Sequence, residues 1–157
     1  MPDHSTDRLL TASERDLTAT IFGEAINLDE VRVCNSKWWP FQPRSVVMAP
    51  RGHLHFHPEG SCYRGCFGNG NLADQALFLH EMTHVWQHQQ GMNLLLRRHP
   101  FCRYDYEFEP GKPFLRFGIE QQAEIVAHVF TMRQGYALAG KPPLAELEAI
   151  LPFRGAR

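Results

Sequence analysis

Two histidines four residues apart, His80 and His84, with an acid directly after the first, form the segment His80-Glu81-Met82-Thr83-His84. On a helix this spacing puts both imidazoles on one face, about 6 Å apart along the axis, close enough to share one divalent ion. Glu81 is turned by about 100° from His80. It reaches the open side of such an ion without binding it, where a carboxylate can take a proton from an activated water. A catalytic zinc has three protein ligands and leaves its fourth position to water. The segment Ile119-Glu120-Gln121-Gln122-Ala123-Glu124 supplies two carboxylates at i and i+4 among apolar neighbours. Two carboxylates buried together repel unless a cation offsets them. One Glu then binds the ion and the other orients a ligand histidine from behind. The expected chemistry is zinc-assisted amide hydrolysis, with Glu81 carrying the water proton to the leaving amine. The bland reading is two core histidines bonded to backbone, and glutamates facing water or paired with Arg97, Arg98 or Arg103.

These side chains need rigid elements behind them. Asn71 caps a helix expected over Leu72–Gln90, with Asp74 in its first turn and Gly91 as its stop. Phe78, Leu79, Met82, Val85 and Trp86 spread around this helix, so it is buried on several sides. A second long helix is expected from Ile119 to about Ala137, and a short one over Leu144–Leu151. Near the start, Thr11-Ala-Ser-Glu14 has capping-box form and opens a helix that runs to Phe22 before Gly23. Strands are expected over Glu30–Cys34, Ser45–Ala49 and His53–His57. Gly-rich Glu59–Asn71 and turn-rich Met92–Gly118 read as loops. Strands followed by helices indicate an α+β class, a small N-terminal antiparallel or mixed sheet packed on the two long helices.

Other side chains are placed by type. His53, His55 and His57 alternate along one strand face, which either lines a cleft or is the wet face of a half-buried strand. Tyr104, Tyr106 and His128 could each donate to an oxyanion, and nothing in the sequence chooses between them. Trp38 and Trp39 read as core or interface anchors. Competing metal motifs fit less well. His88 is about 12 Å along the helix from His80, a metzincin needs Gly at 87 and His at 90 where both are Gln, and a di-iron bundle needs a second ExxH where Glu124–His128 is ExxxH.

Composition bounds the rest. The chain has 157 residues and a formal net charge of −1 with 21% charged residues, which gives no electrostatic case for nucleic acid or an anionic membrane as partner. Size scaling buries about 69% of the unfolded chain's surface, enough for one core, so residues 1–157 are expected to form a single domain with 1–7 and 154–157 as frayed tails. No run approaches the ~18 apolar residues of a membrane span. The first ten residues lack signal-peptide form, so the chain is expected to be made in the cytoplasm. Cys62 and Cys66 are too isolated for a zinc finger and read, with Cys34 and Cys102, as structural or incidental thiols.

HExxH followed by a Glu on a later helix resembles the gluzincin pattern of zinc metallopeptidases, the thermolysin-like branch of the zincins. That resemblance implies Glu120 as third ligand and Glu124 as the residue that orients a ligand histidine. The wording is closer to a smaller set. LTxxE, FGxAI with VRV, HExTHVWQ and EQQAEI are similar to the small metallopeptidases related to Vgr and Rhs proteins, encoded beside type VI secretion spikes in bacteria. The similarity runs from Arg8 to about Gly135. It implies a minimal zincin-like fold, one Zn²⁺ per chain on His80, His84 and Glu120, and Glu81 as the catalytic acid–base. It also implies a peptide or protein substrate and export by a type VI secretion route. The pattern departs at Ile119, where thermolysin-type proteins have Asn, and at Glu124, where they have Asp. The other functional class open to such a chain is an accessory or adaptor module that binds a secretion spike or effector with little or no catalysis.

Overall fold

A computed structural model of the chain describes residues 7–97 and 103–155, with side chains from 96 and 97 left out. Arg98 and Cys102 lie outside these residues, as do residues 1–6 and 156–157 of the expected tails.

The capping box forms as expected. Thr11 Oγ1 accepts from the Glu14 backbone N–H at 3.2 Å while Glu14 Oε2 accepts from the Thr11 N–H at 2.9 Å, opening α1 (Ala12–Phe22). Glu14 does more than cap. It is fully buried, and its two oxygens take both arms of Arg8 at 2.9 Å and the Phe67 N–H at 2.8 Å. Arg8 sits in β1 (Asp7–Leu9), which pairs antiparallel with β2 (Arg32–Cys34). One carboxylate therefore ties the first strand, the first helix and the loop near Phe67 together. Asp7, expected in a frayed tail, is instead a strand residue opposite Cys34. At the other end Gly155 lies so close to Thr20 that a side chain there would collide with its carbonyl.

The sheet is mixed, in order β1-β2-β3, with β3 (Leu54–His55) parallel to β2. Strands are shorter than the alternating pattern predicts. Residues 28–30 form a 3₁₀ turn, and Ser45–Ala49 contributes one antiparallel bridge, Met48 with His55. Buried Gln42 explains why this segment holds its place without a ladder. Its amide donates to the carbonyls of Val46 (2.8 Å) and His55 (2.9 Å) and accepts from the Trp38 N–H (2.8 Å).

Helices behave more simply. Asn71 Oδ1 accepts from the Asp74 N–H at 2.9 Å and starts α2 (Leu72–Gln89). Every residue from Phe78 to Gln87 is buried, as the apolar scatter around the helix predicts. A short α3 (Leu94–Arg97) and a 3₁₀ turn at 114–116 interrupt the expected loop. Gln121 Oε1 accepts from the Gly118 N–H at 2.9 Å at the start of α4 (Ile119–Arg133). This helix ends four residues before the expected Ala137, because Gly135 turns into the left-handed region at φ 92°. α5 (Leu144–Ile150) packs on α4, pinned by Arg133 to Glu148 at 2.6 Å.

The α+β reading holds: α2 and α4 lie against each other, and the sheet and α1 close around them. The core is one cluster. Stacked rings of Phe56, Phe67 and Phe78, 5.2 and 5.4 Å apart, link the sheet side to α2. Trp38 and Trp39 do not enter it; Trp39 is 42% exposed and packs edge-on against exposed Phe41, so of the expected core or interface role the core half is corrected. No helix among the described residues is long and apolar enough to cross a membrane.

Candidate metal centre

Burial of α2 on several sides leaves His80 and His84 facing α4 rather than water. Both are buried, as is Glu120 in the first turn of α4. Glu120 Oε2 lies 3.1 Å from His80 Nε2 and 3.2 Å from His84 Nε2. Among the described residues this is the one group of three His, Cys or carboxylate ligand atoms all within 4.8 Å of one another. Bonds of 2.0–2.2 Å to a tetrahedral zinc separate ligand atoms by about 3.4 Å. The donor types and spacings therefore fit zinc, with no need to move a helix.

The electrostatics are those of a negative hole. Burial disfavours the His80 imidazolium, but hydrogen bonds to Glu120 and Glu124 and the nearby Glu81 outweigh it and raise His80 to about 10. Burial also works to raise Glu120, yet its contacts to His80 and His84 hold it far below the usual carboxylate range.

Each histidine is held from behind. His80 Nδ1 meets Glu124 Oε1 at 2.9 Å, and His84 Nδ1 meets Gln87 Oε1 at 2.8 Å. With both Nδ1 atoms protonated, both Nε2 lone pairs point to the common centre. Gln87, whose type in the sequence only excludes a metzincin, has a role at the site that no motif marks. It is fully buried, and its amide donates to the Ile119 carbonyl (3.0 Å) and to Gln122 Oε1 (2.9 Å). It thus fixes His84 and the start of α4, one residue before Glu120, in a single contact set. The available signal was a polar residue three positions after His84 on the buried stripe.

The three expected oxyanion donors fall in different places. Tyr104 stacks on His80, ring centres 6.0 Å apart, and lines a cavity of about 40 Å³ with Glu81, His84 and Glu120. Val47, Ala49 and Pro50 form its opposite wall. An open groove that also touches Tyr104 and Glu81 runs along His80, Glu124 and His128. Tyr106 and His128 bond each other at 2.7 Å. The structure thus places Glu81 and Tyr104 at the cleft and puts Tyr106 behind it.

Other candidates stand apart. His53 Nδ1 accepts from the Arg32 N–H of β2 at 3.3 Å and His57 Nδ1 from the Glu59 N–H of its own turn at 3.0 Å, so both histidines serve backbone. Cys34, Cys62 and Cys66 are free thiols. Cys66 sits 3.0 Å from Ser13 Oγ and 3.1 Å from Thr11 Oγ1, at the start of α1. Arg103 is exposed.

Fold and site together define an α+β domain whose two packed helices carry a buried His-His-Glu cluster. No protein-family model matches the chain. A solved structure, the effector domain of Pseudomonas aeruginosa VgrG2b, matches it with a TM-score of 0.76 and 33% identity over 94% of this chain and 83% of that one. The type VI secretion system spike protein VgrG2b of Pseudomonas aeruginosa is 38% identical over 148 residues, covering 88% of this chain. The chain spans 14% of the length of that spike protein. It belongs to the family of the VgrG2b effector domain.

Proposed function

We propose that the chain acts in type VI secretion as an effector domain and that its chemistry is zinc-dependent peptide hydrolysis. The observation that carries the chemistry is the convergence of His80, His84 and Glu120 beside Glu81 in one cleft. The kinship with a spike protein's effector domain supports the setting. Zinc held there supplies a Lewis acid and a water acidified toward neutral pH. The residues divide the remaining work. Glu81 takes a proton from the attacking water on its carboxylate and returns it to the leaving nitrogen. Tyr104 offers a phenol on the cleft wall for the developing oxyanion. The Val46–Pro50 segment, held by Gln42, gives an extended substrate a wall to lie along.

A second reading keeps zinc for stability and has the domain work as an accessory or adaptor bound to a spike or effector. The relatedness to a domain of a larger spike favours it. Elemental analysis of protein purified without added metal, with hydrolysis of unfolded casein and a spike pull-down, separates the two. The peptidase reading expects about one zinc per chain, and Glu81→Gln that keeps the metal and loses about 10²–10⁴-fold in turnover. Full turnover in Glu81→Gln removes Glu81 from the mechanism. Zinc without hydrolysis but with spike capture establishes the adaptor.

A further inference from the structure

Tyr106 and His128 were grouped with Tyr104 by chemical type, but the structure gives them another task. We infer that they are positioning residues of the metal centre, completing a line of polar contacts behind His80 that fixes which of its nitrogens carries the proton. The inference rests on the metal-centre reading above. Glu120, Glu124 and His128 follow at four-residue intervals on one stripe of α4. Along that stripe Glu124 Oε1 meets His80 Nδ1 at 2.9 Å, and Glu124 Oε2 faces His128 Nε2 at 3.4 Å. His128 Nδ1 then meets the buried Tyr106 hydroxyl at 2.7 Å.

Proton bookkeeping gives the line a direction. For His80 Nε2 to bind an ion, its proton must sit on Nδ1 and point at Glu124. Glu124 accepts only, so its second oxygen calls for a donor, and His128 supplies one if its proton is on Nε2. His128 Nδ1 is then an acceptor, which the Tyr106 O–H satisfies. Each partner's role is set by the next, and Tyr106 ends the line with a group that is a donor at any ordinary pH. Burial, with Glu124 nearby, pushes the Tyr106 phenol well above its usual range. Burial also pushes His128 down, and the Lys141 ammonium adds to this from its seat 4.1 Å from the Tyr106 ring centre. Both shifts favour the neutral forms that the line uses.

The test measures zinc affinity by chelator competition in the full chain, with thermal unfolding of each metal-free protein as the fold check. His128→Ala should weaken zinc about tenfold, the low end for an outer partner of a ligand histidine. Tyr106→Phe should weaken it by a smaller factor. The double variant should bind like His128→Ala alone, because Tyr106 acts only through His128. His128→Gln, which keeps a donor and an acceptor at the right separation, should recover most of the loss. The His80 Nδ1–H resonance of the zinc-loaded protein should move in Tyr106→Phe, although no contact of His80 itself has changed. Wild-type affinity in both single variants, or penalties that simply add, overturns the line while leaving the metal centre intact. A wild-type chain that takes no zinc overturns the metal-centre reading, and the line falls with it.

Discussion

Glu14 and Glu120 are both buried glutamates in the first turn of a helix, and both are held as carboxylates below their usual range. Their partners differ in kind. Glu14 is surrounded by donors that cannot be switched off: the Arg8 guanidinium and the backbone N–H groups of Thr11 and Phe67. Such a site is complete as it stands. Glu120 faces two imidazole nitrogens that are donors only while protonated. In the tautomer with the proton on Nδ1, the same imidazoles and the carboxylate present three lone pairs to one point. A buried carboxylate that serves structure is saturated by fixed donors; one that serves a metal is paired with groups that can become ligands.

The largest expected effect tests that contrast directly. Glu120→Ala should lower zinc affinity by more than the ~100-fold upper range for outer partners, since it deletes a ligand. Zinc retained at wild-type affinity in Glu120→Ala would erase the distinction between the two glutamates.

Glu14→Ala should show the converse, costing about 3 kcal/mol of stability because it leaves the Arg8 guanidinium half-buried without its partner. Zinc affinity of the folded fraction should stay unchanged. The acid limb follows from the same pairing. Burial works to raise the Glu14 carboxyl, but Arg8 and the backbone donors win and lower it in the folded state. The unfolded chain then binds the proton more tightly. This contribution is therefore present above the unfolded value of about 4.5 and is lost as pH falls from there through the folded value. Urea midpoints followed from about pH 6 to about pH 3 should fall steeply in the wild type and less so in Glu14→Gln.

Gln87 sharpens the comparison from the other side, since it is a buried neutral side chain serving the site. Gln87→Ala should weaken zinc about tenfold through loss of the His84 contact. It should also cost about 1–3 kcal/mol, because the Ile119 carbonyl and Gln122 each lose a buried donor. A stability loss with unchanged zinc affinity would make Gln87 a helix tie and nothing more.

What the sequence made legible follows the range of the interactions. The starts of α1, α2 and α4 rest on caps or apolar patterns within a few residues, so Thr11–Glu14, Asn71–Asp74 and Ile119 mark them in the primary structure. His80, His84, Glu120 and Glu124 come together as expected because two rigid helices carry them. Short strands were a different matter. β1 exists because Arg8 reaches Glu14 and the carbonyl of Arg64, and the Ser45–Ala49 segment is held by Gln42 rather than by pairing. Neither tie leaves a periodic trace. Likewise, Tyr106 and His128 are 22 positions apart, and no spacing rule joins them.

The smallest effect is expected at Arg44 and Glu59, whose ion pair at 3.0 Å is nearly as short as the 2.9 Å pair of Arg8 and Glu14. Distance alone would rank the two alike. Their side chains are 69% and 67% exposed, against 21% and 0% for Arg8 and Glu14. Water already solvates both ions before they meet, so the pair gains little and orders two long side chains to gain it. Arg44→Ala should therefore change unfolding free energy by less than about 0.5 kcal/mol and leave zinc affinity alone. A loss comparable to that of Glu14→Ala would mean that contact length, rather than desolvation and fixed donors, sets the worth of a carboxylate here, and the contrast between Glu14 and Glu120 would lose its physical basis.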